Sequence, residues 1–185
     1  MFQQQQPAGS DKTASEAAGL SIRAAAEGAR FSLRIDPAAA SRAAESFGCT
    51  LPGRIGEVAV SNGRLAVRLG PDEWYLIAAP EDVEAIEQVF AELYTECPHS
   101  LVDISHREVG IEVEGAAAAL ALRSAIAFDV EAMPAGAGCR TIFDKAQIIL
   151  IREAENRFRI EVWRSFADHV RGILDVASRE IALGI

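Results

Sequence analysis

The sequence predicts an α+β fold built as two similar lobes, each an antiparallel sheet with packed helices. Three observations carry this. Half of the 185 residues are hydrophobic, which excludes a disordered polar chain and, at this length, allows roughly 70% of the unfolded surface to be buried. Short runs of alternating apolar residues recur between turn signals, as strands do. The order of strands and helices also repeats once along the chain.

Residues 1–28 read as a disordered or partner-docking tail, with Gln3 to Gln6, a Pro-Ala-Gly-Ser stretch and many alanines. Order is expected from residue 29. Phe31, Leu33 and Ile35 form one face of a strand. Asp36-Pro37 supplies an N-cap and a first-turn proline for a helix running to Phe47 and closed by Gly48. Val58-Val60 and Leu65-Leu69 are strands joined by the hairpin turn Ser61-Asn62-Gly63-Arg64, because Asn-Gly tolerates positive φ. Gly70-Pro71-Asp72 turns into a strand at Trp74–Ala78. Pro80 opens a helix with Val83, Ile86, Phe90 and Leu93 on one face.

The second half follows the same grammar. Leu101–Ile104 and Val109–Val113 are strands, and Gly115 leads into a helix over 116–127. After a loop with Pro134, Gly136 and Gly138 come strands at Arg140–Phe143, Ile148–Ile151 and Phe158–Trp163. The last helix is expected to start at Ser165, with Asp168 completing a capping box. The order is β-α-β-β-β-α-β, then β-α-β-β-β-α, close to two split βαβ units. This is one compact domain over 29–185 with ferredoxin-like lobes at about 29–105 and 106–185. Two independent ferredoxin-like domains are the alternative, disfavoured by the short connection near residue 106.

Composition excludes several functions. The chain carries 27 Asp and Glu against 18 Lys and Arg, a net charge of −9. That argues against nucleic acid and anionic membranes, which need clustered cations. Cys49, Cys97 and Cys139 form no C-x-x-C pair, and three dispersed thiols fit a reducing cytoplasm. His99, His106 and His169 lack the spacing of a helical metal pair, so no metal site is expected. The start of the chain has no basic n-region or long apolar core, and the run from Ala146 to Ile151 is too short to span a bilayer.

Catalytic motifs are missing. The glycines of Ala135-Gly136-Ala137-Gly138 match neither a P-loop nor a dinucleotide fingerprint. Ser105 and His106 are adjacent, so on a strand they point to opposite faces. The densest polar cluster, Asp103-Ile104-Ser105-His106-Arg107, supports two readings. It offers a carboxylate, a hydroxyl, an imidazole and a guanidinium to an anionic or amine ligand. It is also an ordinary capped turn, with Arg107 paired to Asp103. In Trp163-Arg164-Ser165-Phe166, Arg164 is either a surface ion pair or an interface anchor, since Trp and Arg dominate interface hot spots. Between Asp72 and Glu96 lie eight acidic residues and no Lys or Arg. The helix from Pro80 is therefore expected to show an anionic outer face, either solvated or docking a basic surface.

The stretches Gly70-Pro71-Asp72-Glu73-Trp74, Ser100 to Arg107, Arg140-Thr141 and Arg164-Ser165-Phe166-Ala167 together resemble the gamma subunits of heterotetrameric sarcosine oxidases, over about residues 29–183. More widely, Asp103-Ile104-Ser105-His106, Gly115-Ala116-Ala117-Ala118 and Asp129-Val130 resemble the first part of the glycine-cleavage T-protein, a folate-binding superfamily. That resemblance implies the T-protein fold. The sequence departs from it at Asp144-Lys145, where the family has two acidic residues, and at Arg164, close to where the family places a folate-contacting Asn. It also lacks the C-terminal barrel and the K-G-C-x-x-G-Q-E signature of related iron–sulfur maintenance proteins, to which Gly138-Cys139-Arg140-Thr141 comes nearest.

The gamma-subunit resemblance implies a non-catalytic assembly subunit in the cytoplasm, with alpha, beta and delta subunits as partners. The complex would demethylate sarcosine to glycine, releasing formaldehyde or passing the one-carbon unit to tetrahydrofolate. The FAD, FMN, NAD and tetrahydrofolate would sit on the partners, with no cofactor on this chain. Trp74, Trp163, Arg164 and Phe166 are then the interface candidates. The alternatives are a subunit of another N-methyl amine oxidase, or a free-standing one-carbon or folate binder. In the free-standing case Asp103, His106, Arg107 and Arg140 would line the pocket, with Asp144 as an acid.

Overall fold

The computed structural model describes residues 19–185. Two five-stranded, wholly antiparallel sheets stack face to face, and each carries two helices on its outer side. The first sheet is built from β2 (Ala29–Ile35), β3 (Val58–Ser61), β4 (Arg64–Arg68), β5 (Glu73–Ala78) and β6 (His99–Asp103), in the order β3-β4-β5-β2-β6. Its helices are α1 (Ala40–Phe47) and α2 (Val83–Leu93). The second sheet contains β1 (Ser21–Ala24), β7 (Glu108–Glu114), β8 (Ala137–Phe143), β9 (Ala146–Ala154) and β10 (Arg157–Trp163), in the order β8-β9-β10-β7-β1. Its helices are α3 (Ala118–Arg123) and α4 (Arg164–Leu183).

The two orders superpose strand for strand, which is the expected pair of ferredoxin-like lobes. One position differs in origin. In the first lobe the strand beside β2 is β6, which follows α2. In the second lobe the matching place beside β7 is filled by β1, which precedes every other strand among the described residues. The reading of 19–28 as tail is corrected here: Leu20 and Ile22 are buried in the second core and β1 pairs with β7 from Ser21↔Glu114 to Ala24↔Ile111. A four-residue strand with a single fully buried side chain gives too short an alternation to recognise in sequence. The rest of that tail, residues 1–18, lies outside the described residues.

Alternation along the strands sorts the side chains into three cores. Phe31, Leu33, Trp74 and Leu76 point outward to α1 and α2, where they meet Phe47 and Phe90. Phe158, Ile160 and Val162 point outward to α3 and α4, meeting Leu122, Val170 and Leu174. Between the sheets lie Leu65, Val67, Tyr75 and Ile77 from the first and Ile149 and Ile151 from the second. The unbroken run Ile148 to Ile151 follows from this, because β9 is covered on both faces. Close stacking requires Gly138 in β8, since a Cβ there would lie 2.7 Å from Val67 Cγ2. Main-chain bonds stitch the adjoining edges, with Gly138 N donating to Gly56 O at 2.9 Å and Val58 N donating to Gly136 O at 3.0 Å.

Local signals match where chemistry is local. Asp36 Oδ1 accepts from Ala38 N at 2.9 Å, and Gly48 closes α1 at φ 72°. The hairpin turn has Asn62 at φ 52° and Gly63 at φ 72°. Two helix limits differ. α4 starts at Arg164 with Trp163 as its N-cap and no side-chain capping bond, so Ser165 is inside the helix and not its cap. α3 ends at Arg123 and not at 127, where Ser124 Oγ donates to Ala121 O and Ile126 N turns back to Leu122 O.

Candidate functional site

One half of the space between the sheets is apolar and the other half is polar. The polar half comes from the same alternation. Arg30 on β2 and Tyr75 on β5 point inward from the first sheet. Glu108 on β7 with Arg159 and Glu161 on β10 point inward from the second. Arg30 is 4% exposed and Glu161 1%. Arg30 Nε donates to Glu161 Oε2 at 2.5 Å, Arg159 Nε donates to Glu161 Oε1 at 2.5 Å, and Tyr75 OH donates to Glu161 Oε2 at 3.3 Å. Gly110 leaves room for this cluster, since a Cβ there would lie 2.9 Å from Glu161 Oε1 and 2.7 Å from Ala25 Cβ.

Burial and the neighbouring carboxylates shift Arg30 and Tyr75. Burial pulls the Arg30 pKa down, but Glu161, by attraction and by hydrogen bond, more than offsets it, and the net shift is upward. Burial first, then the Glu161 and Glu108 carboxylates, push the Tyr75 hydroxyl well above its ordinary value. Tyr75 therefore stays a neutral donor. A buried ion pair of this kind ties the two sheets in one register, and losing one partner leaves the other charge stranded.

Beside the cluster the two interlobe connections, 24–29 and 103–110, enclose a cleft of about 590 Å³. Asp103, Ser105, His106, Glu108, Arg30 and Arg164 contribute its polar wall. Asp103 Oδ1 accepts from Ser105 N at 2.8 Å and from Ser105 Oγ at 2.5 Å, and Ser105 Oγ accepts from Arg30 N at 2.9 Å. The Asp-x-Ser turn is thus a structural cap that fixes the start of β7. Arg164 N donates to Arg107 O at 2.8 Å and Arg164 Nε to His106 O at 3.2 Å, so α4 clamps the same turn.

Of the residues singled out from sequence, Asp103 and His106 meet at this cleft. Arg107 stands beside it, paired with Glu108 at 2.9 Å and not with Asp103, its guanidinium 5.3 Å from the Trp163 ring. Arg140 is elsewhere, at the opposite edge. It forks onto Glu73, NH2 to Oε1 at 2.5 Å and NH1 to Oε2 at 3.1 Å, bridging β8 to β5. Asp144 is on the β8–β9 turn and holds His169 Nε2 at 2.8 Å. Trp163 remains 42% exposed, and Phe166 is half-buried against the second core.

Trp74 is corrected as an interface candidate. It is 0% exposed, and its Nε1 donates to Pro52 O at 3.1 Å. The alternation that makes β5 a strand turns its even positions into the first core. The acidic face is also smaller than expected: Asp72, Glu73, Asp82 and Glu96 are each paired with an arginine from another segment, and α2 displays Glu84, Glu87 and Glu92.

The sequence reading missed Arg30, Tyr75, Glu108 and Glu161. Polar positions on an alternating strand read as solvent-facing, and no local signal says that a second sheet lies there instead. Among the described residues no group of three or more His, Cys, Asp or Glu is placed to hold a metal ion, and no helix is long and apolar enough to cross a membrane.

Comparison with known proteins agrees with this architecture. Residues 32–180 match the family described as "Sarcosine oxidase, gamma subunit family". The sarcosine oxidase subunit gamma of Corynebacterium sp. (strain U-96) is 32% identical over 174 residues, 89% of this chain and 84% of that one. A chain in the heterotetrameric sarcosine oxidase structure from Corynebacterium sp. U-96, in complex with pyrrole 2-carboxylate, superposes with TM-score 0.81 at 29% identity, over 90% of this chain and 89% of its own length. The glycine cleavage system aminomethyltransferase T of Bartonella henselae shares the fold, with TM-score 0.66 at 14% identity over 85% of this chain and 46% of that one. With this fold, and with the match running through both lobes, the chain belongs to the sarcosine oxidase gamma subunit family.

Proposed function

We propose that the chain is a non-catalytic assembly subunit of a cytoplasmic heterotetrameric sarcosine oxidase, docking onto alpha, beta and delta subunits that carry the flavins, NAD and the folate site. The observation that carries this reading is the family match through both lobes. The hydrogen bonding of the polar turn supports it: Asp103 and Ser105 are engaged with each other and with the Arg30 main chain. In this reading the complex oxidises sarcosine to glycine, and the one-carbon unit leaves as formaldehyde or on tetrahydrofolate.

The docking surface includes Trp163 with Arg107 stacked on it, an exposed aromatic–guanidinium pair of the kind that anchors interfaces. Co-expression with the cognate subunits and size-exclusion chromatography tests the reading. A stable complex is expected, and Trp163→Ala is expected to weaken it by about 2 kcal/mol. Failure to form any complex overturns the assembly role. Full activity of the other subunits without this chain, in an intact assembly, overturns it as well.

A further inference from the structure

The first sheet ends on a strand that is paired on one side only. Among the described residues β6 pairs with β2 and with no other strand. Phe31 stands opposite Asp103, and one step further along Ile104 N donates to Arg30 O at 2.8 Å. Antiparallel pairs alternate between bonded and unbonded positions. Ser100 and Val102 therefore turn their N–H and C=O toward β2, and His99, Leu101 and Asp103 turn theirs away from the sheet. Such an edge is a template for a further strand unless something blunts it. The five residues of β6, His-Ser-Leu-Val-Asp, include no lysine and no proline, and Val102 is 49% exposed. The one carboxylate, Asp103, is engaged by Ser105.

Alongside this edge, between β6 and α2, lies a groove of about 570 Å³. Glu87, Phe90, Ala91 and Tyr94, on one stripe of α2 and its C-cap, line one side, and His99 and Leu101 line the other. Phe90 is 1% exposed and forms the floor, whereas Tyr94 is 56% exposed and forms a wall. The His99 ring packs edge-on against both, its centroid 5.3 Å from Phe90 and 5.5 Å from Tyr94. His99 Nδ1 lies 2.7 Å from Cys97 O, and since a carbonyl only accepts, Nδ1 carries the proton and the ring is held in place. The mouth is acidic. Glu87 and Glu84, one turn before it, are exposed, and no Lys or Arg occurs from Asp72 to Glu96. Aromatic rings beside a carboxylate suit a Lys or Arg side chain: the rings and the carboxylate attract its cation, and the apolar floor takes its stem.

Charge selects among the possible occupants. A second copy of this chain, joined edge to edge through β6, would bring two acidic α2 faces together, and like charges across an interface are costly. Residues 1–18 hold Asp11 and Glu16 against the one cation Lys12, so they bring no positive excess. We propose that β6 receives an extended basic segment of a partner subunit as an added strand, with one of its Lys or Arg side chains in the α2–β6 groove and the cation at Glu87. This rests on the assembly role and adds to it a second docking surface, on the first lobe, whereas Trp163 is on the second.

The test uses the full chain, alone and in complex with its co-expressed cognate subunits. Hydrogen exchange is expected to slow over 98–104 on assembly, at the amides of His99, Leu101 and Asp103, because those of Ser100 and Val102 are already bonded to β2. Tyr94→Ala, and the pair Glu84→Lys with Glu87→Lys, are each expected to weaken the complex about tenfold or more with the melting temperature of the free chain unchanged. Added NaCl is expected to weaken the parent complex more than the doubly reversed one. Failure to form any complex overturns this inference together with the assembly role. A complex that forms while 98–104 exchanges as in the free chain overturns the added strand alone. Protection of 98–104 with affinity indifferent to the two lysine substitutions overturns the basic segment. Protection that rises with the concentration of the isolated chain assigns the edge to a second copy, and protection of the isolated chain that is lost on deleting 1–18 assigns it to that segment; either overturns the proposal.

Discussion

Glu161 is the residue on which the joint between the lobes turns. Two arginines and a tyrosine donate to a carboxylate that is 1% exposed. Glu161→Ala strands Arg30 in the interior, and breaking a buried pair this way costs about 3–5 kcal/mol. Urea denaturation is expected to show that loss as a lower midpoint; an unchanged midpoint would mean that water reaches Arg30. Asp103 is a smaller case. Its carboxylate caps the turn into β7 through Ser105, so Asp103→Ala is expected to cost about 1 kcal/mol. Asp103→Asn retains the acceptor and should recover most of that, whereas equal losses would show that the charge and not the cap matters. Glu73 makes the residue scale pH-dependent. The Arg140 hydrogen bond, then its charge, lowers the Glu73 pKa from its ordinary 4.5 against the opposing effect of burial. Its native pKa lies below its unfolded one, so this stabilisation is complete above about pH 5 and fades as pH falls through the lowered value. The melting-temperature gap between the parent chain and Arg140→Met should therefore narrow below about pH 4.5. A gap that does not narrow at all between about pH 5 and about pH 3 would show that the Glu73 ion pair is not what Arg140 contributes there.

At the scale of elements, β1 completes the second lobe with chain from outside its sequence order. The first lobe closes with β6 at the corresponding place. Ile22 is fully buried in the second core, and β1 is the outer strand protecting β7. Ile22→Asp is expected to destabilise the whole chain by about 3 kcal/mol or more, because it buries an unpaired charge. Hydrogen exchange should then show β7 losing protection before β9. If β7 stays protected, β1 is a dispensable appendage. The same strand explains the cleft, since the connection after β1 runs over Gly110, with Ala25 N donating to Gly110 O at 2.9 Å. One short strand therefore both seals a core and walls the candidate site.

Across the whole molecule, the order of layers decides what each polar residue does. The stack is helices, sheet, sheet, helices, with apolar side chains at one half of the central layer and charges at the other. Trp163, at the end of β10, is 42% exposed with the Arg107 guanidinium over its ring, whereas Trp74 is buried within the stack. Much of this was legible in the residues themselves. Apolar patterning located nine of the ten strands among the described residues, and Asp36, Gly48 and Asn62-Gly63 marked the helix ends and hairpin. These signals are local: φ preference, capping geometry and the period of a strand act within a few residues. The α+β class and the lobe repeat follow from such signals in sequence order. The Asp103 to Arg107 cluster was legible as a polar turn between lobes for the same reason. The tertiary structure decided which face of each alternating strand meets water. Arg30, Glu108 and Glu161 look like ordinary surface positions until a second sheet covers them, and Arg140 looks like a site residue until Glu73 claims it from the other lobe. Both are contacts between segments distant in sequence, and a strand's period carries no information about what packs on its polar side.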